Sequence, residues 1–255
     1  MNDLDSHLHL RSYIKANWPA PSQVVAGVSQ RQPGDSLDDY VANNMAMHVG
    51  DRPQAVAANR QCLDQQLPGV KRWQWLNQIH GVSVCSVNER TLDTFPDADA
   101  SETRMRCVVC TVLTADCLPV LITNTQGNHV AAIHAGWRGL VSGVIEQTLQ
   151  RFSPQDRLLA WLGPAIGPQH FEVGEQVRQA FAVASDGDLT QALFIPQPNA
   201  KYKVSLYALA RLRLRRMGVH HVFGGDYCTM ADSAYFYSYR REHSTGRMAS
   251  FIYFH

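Results

Sequence analysis

Cys107-Val-Val-Cys-Thr-Val-Leu113, Leu118-Pro-Val-Leu-Ile-Thr123, His129-Val-Ala-Ala-Ile133 and Trp137-Arg-Gly-Leu-Val-Ser-Gly-Val-Ile-Glu-Gln-Thr-Leu-Gln-Arg-Phe152 follow one another closely, and their reading decides the fold. The first three runs are short, apolar and rich in β-branched residues, which predicts buried strands. In the fourth the period changes. Val141, Val144, Ile145, Thr148, Leu149 and Phe152 recur at helical spacing, so a helix starting at Trp137 lays one apolar stripe on the sheet.

Working outward, residues 81–87 and 158–162 read as further strands, and the segment 29–39, with Pro33 and Gly34, reads as a loop. Val56, Cys62, Leu63 and Leu67 mark a helix stopped by Pro68-Gly69. Helices are also predicted near 173–183 and 205–217. In the latter, Ser205 is the N-cap, Gly218 the stop, and Leu206, Ala210, Leu214 and Met217 form one face. Arg211 and Arg215 fall opposite that face and read as solvated, with Arg213 nearer the apolar side. No repeat or linker interrupts the chain, so residues 1–255 are expected to form a single domain. Strand pairs with interspersed helices predict an α+β fold, a mixed α/β sandwich of mixed sheets flanked by helices, over a regular βαβ succession.

The charge balance, 23 Lys+Arg against 22 Asp+Glu, provides no global field to recruit nucleic acid or an acidic membrane surface. No stretch is apolar for long enough to span a bilayer, and the N-terminal ten residues lack the apolar run of a secretory signal. Cysteines at 62, 85, 107, 110, 117 and 228 lack the dense spacing of a disulfide scaffold, which suggests a reducing, cytoplasmic setting.

Cys117, in Thr-Ala-Asp116-Cys117-Leu-Pro-Val, and His134, in Ala-Ile-His134-Ala-Gly136-Trp137-Arg138-Gly139, each lie at a boundary between an apolar run and a turn. Strand ends deliver such side chains to the rim of a sheet. There a sulfur and an imidazole act either as metal ligands or as nucleophile and base. His80, in Asn77-Gln78-Ile-His80-Gly81, adds a third donor at the same kind of boundary, and three protein ligands leave a fourth tetrahedral position open.

Cys107 and Cys110 lie three apart on a strand and point to opposite faces, so they read as core, as do Cys62 and Cys85. Cys228 reads as nearer a cleft. His7, His9, His220, His221 and His255 read as surface residues. Arg138, in the first turn after His134, and the arginines of Tyr237-Ser-Tyr239-Arg240-Arg241-Glu242-His243-Ser244-Thr245-Gly246-Arg247 are candidates for binding an anion.

These motifs together resemble the YfiH family, also called the laccase-domain or polyphenol oxidoreductase family, whose members are described as purine nucleoside phosphorylases. The resemblance runs over nearly the whole chain. It includes Gly27-Val28-Ser29, His48-Val49-Gly50-Asp51, Asn59-Arg60, the His80, Cys117 and His134 motifs, Leu162-Gly-Pro-Ala-Ile-Gly167, Ser238-Tyr-Arg-Arg241 and Thr245-Gly-Arg247. It implies an α/β sandwich similar to that of toxin-type cysteine hydrolases. It implies His80, Cys117 and His134 as metal ligands, usually for zinc. Adenosine, inosine and methylthioadenosine would be substrates, cleaved by phosphate to free base and ribose 1-phosphate. The resemblance also implies deamination of adenosine by some members, and copper-dependent phenol oxidation has been ascribed to others.

On that basis Arg138 is the first anion-binding candidate, followed by Arg60, Arg241 and Arg247. Asp116 is either a catalytic orienter or proton carrier, or a structural carboxylate. The chain departs from the family pattern at Asn43-Asn44-Met-Ala-Met47 and at Glu242-His243, segments that would line the cleft and through which Asn44 would touch substrate.

Two other enzyme classes use the same residues. One is a copper polyphenol oxidase, which is poorer as a multicopper centre because only His7-Leu8-His9 has the His-x-His form. The other is a metal-free Cys-His amidase acting on cell-wall precursors, with Cys117 as nucleophile and His134 as base. A non-enzymatic binding module would retain its function in Cys117→Ala.

Overall fold

The computed structural model describes residues 12–184 and 192–255. The three apolar runs become β6 (Val108–Thr114), β7 (Leu118–Asn124) and β8 (Val130–Ala135), each buried along its whole length. Strands read as continuous apolar runs when both faces of their sheet are covered. Two stacked sheets do this here.

β7 and β8 pair antiparallel within a six-stranded sheet. Its other strands are β4 (Val84–Ser86), β5 (Ala100–Thr103), β9 (Leu158–Leu162) and β13 (His221–Gly224), in the order β13-β9-β7-β8-β5-β4. β6 crosses into a five-stranded sheet with β1 (Tyr13–Lys15), β2 (Val24–Ser29), β3 (Arg72–Gln74) and β14 (Met248–Phe254), in the order β1-β2-β14-β6-β3. Both sheets are mixed: β3–β6, β4–β5 and β9–β13 are parallel and the remaining pairs antiparallel.

Val28, Val112 and Ile252 of the smaller sheet meet Leu121, Ala132 and Trp161 of the larger one in a central core. The smaller sheet's outer face packs Tyr13, Val109 and Phe251 with Leu63 of α1 (Pro53–Gln65). The larger sheet's outer face is covered by α2 (Trp137–Ser142), α3 (Val144–Leu149), α4 (Glu175–Ala184) and α5 (Leu206–Arg216). The result is a mixed α/β sandwich of four layers: helix, sheet, sheet, helices. No helix among the described residues is long and apolar enough to cross a membrane.

Several elements depart from the periodic reading. The helix expected from Trp137 is broken into α2 and α3 by Gly143, which adopts a left-handed conformation at φ +91°. Residues near 173 first form β10 (Glu172–Gly174), which joins β11 (Ile195–Gln197) and β12 (Lys201–Lys203) in a small third sheet before α4 begins.

α5 starts at Ser205, whose hydroxyl accepts the Ala208 N–H, and ends before Gly218. Its apolar face differs from the expected one, because Met217 is exposed. Arg211 is not simply solvated: it donates to the carbonyls of Val222 and Gly224 and so ties the helix to β13. Cys62 is exposed and not part of the core, since α1 turns Val56, Asn59 and Leu63 inward. His220, His221 and His255 are exposed, whereas His7 and His9 lie outside the described residues.

Candidate active site

Strand register builds the site. Pairing of β7 with β8 sets Pro119 opposite His134 and Leu118 opposite Ala135, which brings Cys117, just ahead of β7, beside Gly136, just beyond β8. A Cβ on Gly136 would stand 2.9 Å from the Cys117 Sγ and 3.6 Å from the His80 ring, so only glycine lets the three groups close up. The potential ligand atoms of His80, Cys117 and His134 lie within 4.8 Å of one another, the one such cluster of donors among the described residues. The His80 and His134 rings meet edge to face with centroids 4.8 Å apart.

The next contributor is Asp99, which the sequence reading did not single out. β5 runs antiparallel to β8, with Ala100 opposite Ile133, so the preceding Asp99 reaches His134. Its Oδ1 lies 2.8 Å from His134 Nδ1, which leaves Nε2 as the nitrogen facing the sulfur. The same fully buried carboxylate accepts the backbone N–H groups of Ile79 at 3.3 Å, His80 at 2.9 Å and Gly81 at 2.6 Å. One carboxylate therefore orients the His134 ring and holds His80 in its left-handed backbone conformation, φ +59°. Gln78 braces the same turn by exchanging two hydrogen bonds with the Leu113 backbone. The only sequence signal for Asp99 was an acidic residue at the start of a buried strand.

Burial alone would keep the Cys117 thiol protonated, but the charge and hydrogen bonds of His134 and His80 overcome it and shift the group toward thiolate. Burial likewise disfavours His134 imidazolium, yet the Cys117 thiolate and Asp99 raise its pKa above the ordinary histidine value. Asp99 is held below the usual carboxylate range because its bonds to His134, Gly81 and His80 outweigh burial.

These groups open onto a cavity of about 580 Å³ whose walls also include Trp137, Arg138, Phe171, Tyr239, Arg240 and Arg247. Arg138 lies over the Trp137 ring at 4.5 Å. Its helix α2 has only six residues, which weakens the dipole argument for an anion there. Arg247 is the better-enclosed cation. Burial lowers its pKa while Cys117 and Asp116 oppose that shift, and its Nη1 donates to the carbonyls of Thr245 and Gly246.

The other predicted contacts are engaged elsewhere. Arg60 donates through Nε and Nη2 to the Met45 carbonyl and covers the Trp75 ring at 3.5 Å, in a second cleft, with burial holding its pKa down at about 10. Arg241 spends its guanidinium on the carbonyls of Thr229, Met230 and Phe236. Asn44 is fully buried: its Oδ1 accepts from Ala46 and Arg247 N–H, and its Nδ2 donates to Ala46 and Asp51. Asp116 lines the cavity, but both its carboxylate oxygens already accept hydrogen bonds, from Thr229 and from the Arg240 backbone. Cys228 instead packs against Gly167 and His170, with Sγ 3.4 Å from the His170 Nδ1.

The donor set fits a borderline-soft cation. One sulfur and two imidazole nitrogens suit zinc or copper, and His134 is oriented by a carboxylate behind it.

The family model described as multi-copper polyphenol oxidoreductase laccase matches residues 25–255. A purine nucleoside phosphorylase of Pseudomonas aeruginosa is 46% identical, over 95% of this chain and 98% of that protein. The YfiH purine nucleoside phosphorylase of Escherichia coli is also 46% identical, over 94% and 97%. Among solved structures, a Neisseria meningitidis protein with 42% identity superposes with a TM-score of 0.89, covering 96% of this chain and 99% of that one. YlmD of Geobacillus stearothermophilus, 28% identical, gives a TM-score of 0.88 over 96% and 97%.

Proposed function

The chain belongs to the YfiH, or laccase-domain, family, and on that premise we propose that it is a metal-dependent purine nucleoside phosphorylase. The observation that carries this reading is the convergence of His80, Cys117 and His134 on one cavity that Arg138 and Arg247 also line. The name carried by two 46% identical relatives supplies the reaction class.

His80, Cys117 and His134 would hold the ion, for which zinc is the first choice and copper the second. A divalent cation held there would supply Lewis acidity. Asp99 holds His134 in one tautomer, and the Cys117 thiolate offsets the ion's charge. Arg247 and Arg138 bind phosphate, which Arg247 contacts in a partly desolvated wall where each charge-assisted hydrogen bond gains strength. Trp137, Phe171 and Tyr239 enclose the apolar faces of the purine.

A phosphate oxygen then bonds to the ribose C1′ as the C–N bond to the base breaks. The base leaves with the bonding pair and takes up the proton that the phosphate gives up on esterification, leaving ribose 1-phosphate. Inosine, adenosine and methylthioadenosine share a purine joined to C1′ of a ribofuranose ring, the bond that this reaction would break. Deamination of adenosine would use the same donors without phosphate. Free cysteines at all six positions support a reducing, cytoplasmic location.

Metal-quantified protein incubated with inosine and phosphate is expected to release hypoxanthine and ribose 1-phosphate, followed by chromatography, and to stop when phosphate is withheld. No product from zinc-loaded protein would sink the reading. A second reading has its own geometric support, because Cys117, His134 and Asp99 also form a thiol–imidazole–carboxylate chain of the kind used by cysteine hydrolases. Chelation separates the two: the phosphorylase loses activity, whereas a Cys-His amidase keeps it.

A further inference from the structure

Between β13 and β14 the chain runs from Gly225 to Arg247 without a helix or an extended strand, and Tyr239, Arg240 and Arg247 of this loop form one wall of the cavity. Asp116 stands between that loop and Cys117. Its backbone has φ +98°, a conformation that a side-chain-bearing residue keeps only where its surroundings over-determine it.

The surroundings here are three hydrogen bonds to segments far away in sequence. The Asp116 carbonyl accepts the Ile166 N–H at 2.9 Å, Oδ1 accepts the Thr229 hydroxyl at 2.6 Å, and Oδ2 accepts the Arg240 N–H at 2.6 Å. Arg240 continues the connection across the cavity. Its guanidinium lies 5.7 Å from the Phe171 ring centre and reaches the carbonyls of His170 and Glu172, each at 3.4 Å.

We propose that Asp116 is a positioning residue: its carboxylate clasps the 225–247 loop to the strand end that bears Cys117, and so sets the gap between the His80–Cys117–His134 donors and the Tyr239–Arg240 wall that receives the nucleoside. The side chain acts through the loop and takes no part in proton transfer. The function assigned to the gap rests on the nucleoside reading above, whereas the clasp itself does not.

Asp116→Asn tolerates the left-handed backbone and keeps Oδ1 to accept the Arg240 N–H, but it offers Thr229 an uncharged N–H donor in place of a carboxylate oxygen, so the charge-assisted bond to the Thr229 hydroxyl is lost. Thr229→Val removes one arm without touching the residue beside Cys117. Losing one charge-assisted bond is expected to raise KM for inosine about tenfold in each variant while kcat stays within about threefold. Zinc stoichiometry should stay at the wild-type value. Limited trypsin digestion, which needs no substrate, should cut after Arg240 or Arg241 about tenfold faster in both variants.

Two results overturn the proposal. One is a cleavage rate unchanged in both variants. The other is a fall of kcat by a hundredfold or more in Asp116→Asn at constant KM, which is the signature of a proton carrier. If wild-type protein proves inactive on inosine, the nucleoside reading fails while the trypsin arm still decides the clasp.

Discussion

At the scale of single residues, Gly136 determines whether the donors can meet. Its backbone, φ −64° and ψ 166°, suits any L residue, so replacing it brings no backbone penalty and the whole effect of Gly136→Ala falls on the Cys117 sulfur 2.9 Å away. That variant is expected to melt within a few degrees of wild type yet to bind zinc at least ~10-fold more weakly in a chelator competition. Wild-type affinity would show that the sulfur is not a ligand. Cys117, His134 and His80 were legible as candidates because each ends or opens an apolar run beside Gly or Pro. Asp99 was not, because its importance lies in four hydrogen bonds to segments 18 to 35 residues away. The arginines show the same limit. Arg60, Arg241 and Arg247 look alike in sequence, but Arg60 and Arg241 each commit two nitrogens to the carbonyls of Met45, Thr229 and Phe236, whereas Arg247 bonds local carbonyls through Nη1 alone.

At the scale of elements, periodicity identified β6 to β9 and the capped helix α5, where side-chain pattern and local capping agree. It read through the break between α2 and α3, because the apolar stripe from Val141 to Leu149 stays in phase across Gly143. The break itself is a backbone event at φ +91°. A Cβ there meets nothing nearer than the Glu146 carboxylate at 3.5 Å, so Gly143→Ala pays only for the left-handed conformation. The expected loss is about 1 kcal/mol in denaturant unfolding, with nucleoside turnover unchanged. An unchanged midpoint would mean that α2 and α3 can fuse into the continuous helix the stripe suggests. β10 was missed because three residues flowing into α4 carry too little alternation to register as a strand.

At the scale of the whole molecule, one buried polar pair away from the cavity makes stability depend on pH. On β5, Glu102 lies 2.6 Å from the His129 Nε2, and the His129 ring stacks on Phe152. Burial raises the Glu102 pKa, but His129 and Ser86 as hydrogen-bond partners and the charges of His129 and Arg104 bring it below the ordinary glutamate value. Its folded pKa is thus depressed, so the stabilisation is present above the unfolded carboxylate pKa and is lost as pH falls through the folded one. Glu102→Gln is expected to cost about 2 kcal/mol at pH 7, with the gap to wild type closing below about pH 4, measured by urea unfolding at both pH values. A gap of equal size at both would assign the cost to packing. The sequence by itself determined the mixed α/β class, strands β6 to β9, helices α1 and α5 and a candidate set of three donors, because these follow from local periodicity and side-chain chemistry. Only the tertiary structure decided that Asp99 serves two of those donors, that Arg247 and not Arg60 faces them, and that Asp116 ties a distant loop to their strand. Those are distances between remote segments, set by strand register, and no local pattern encodes them.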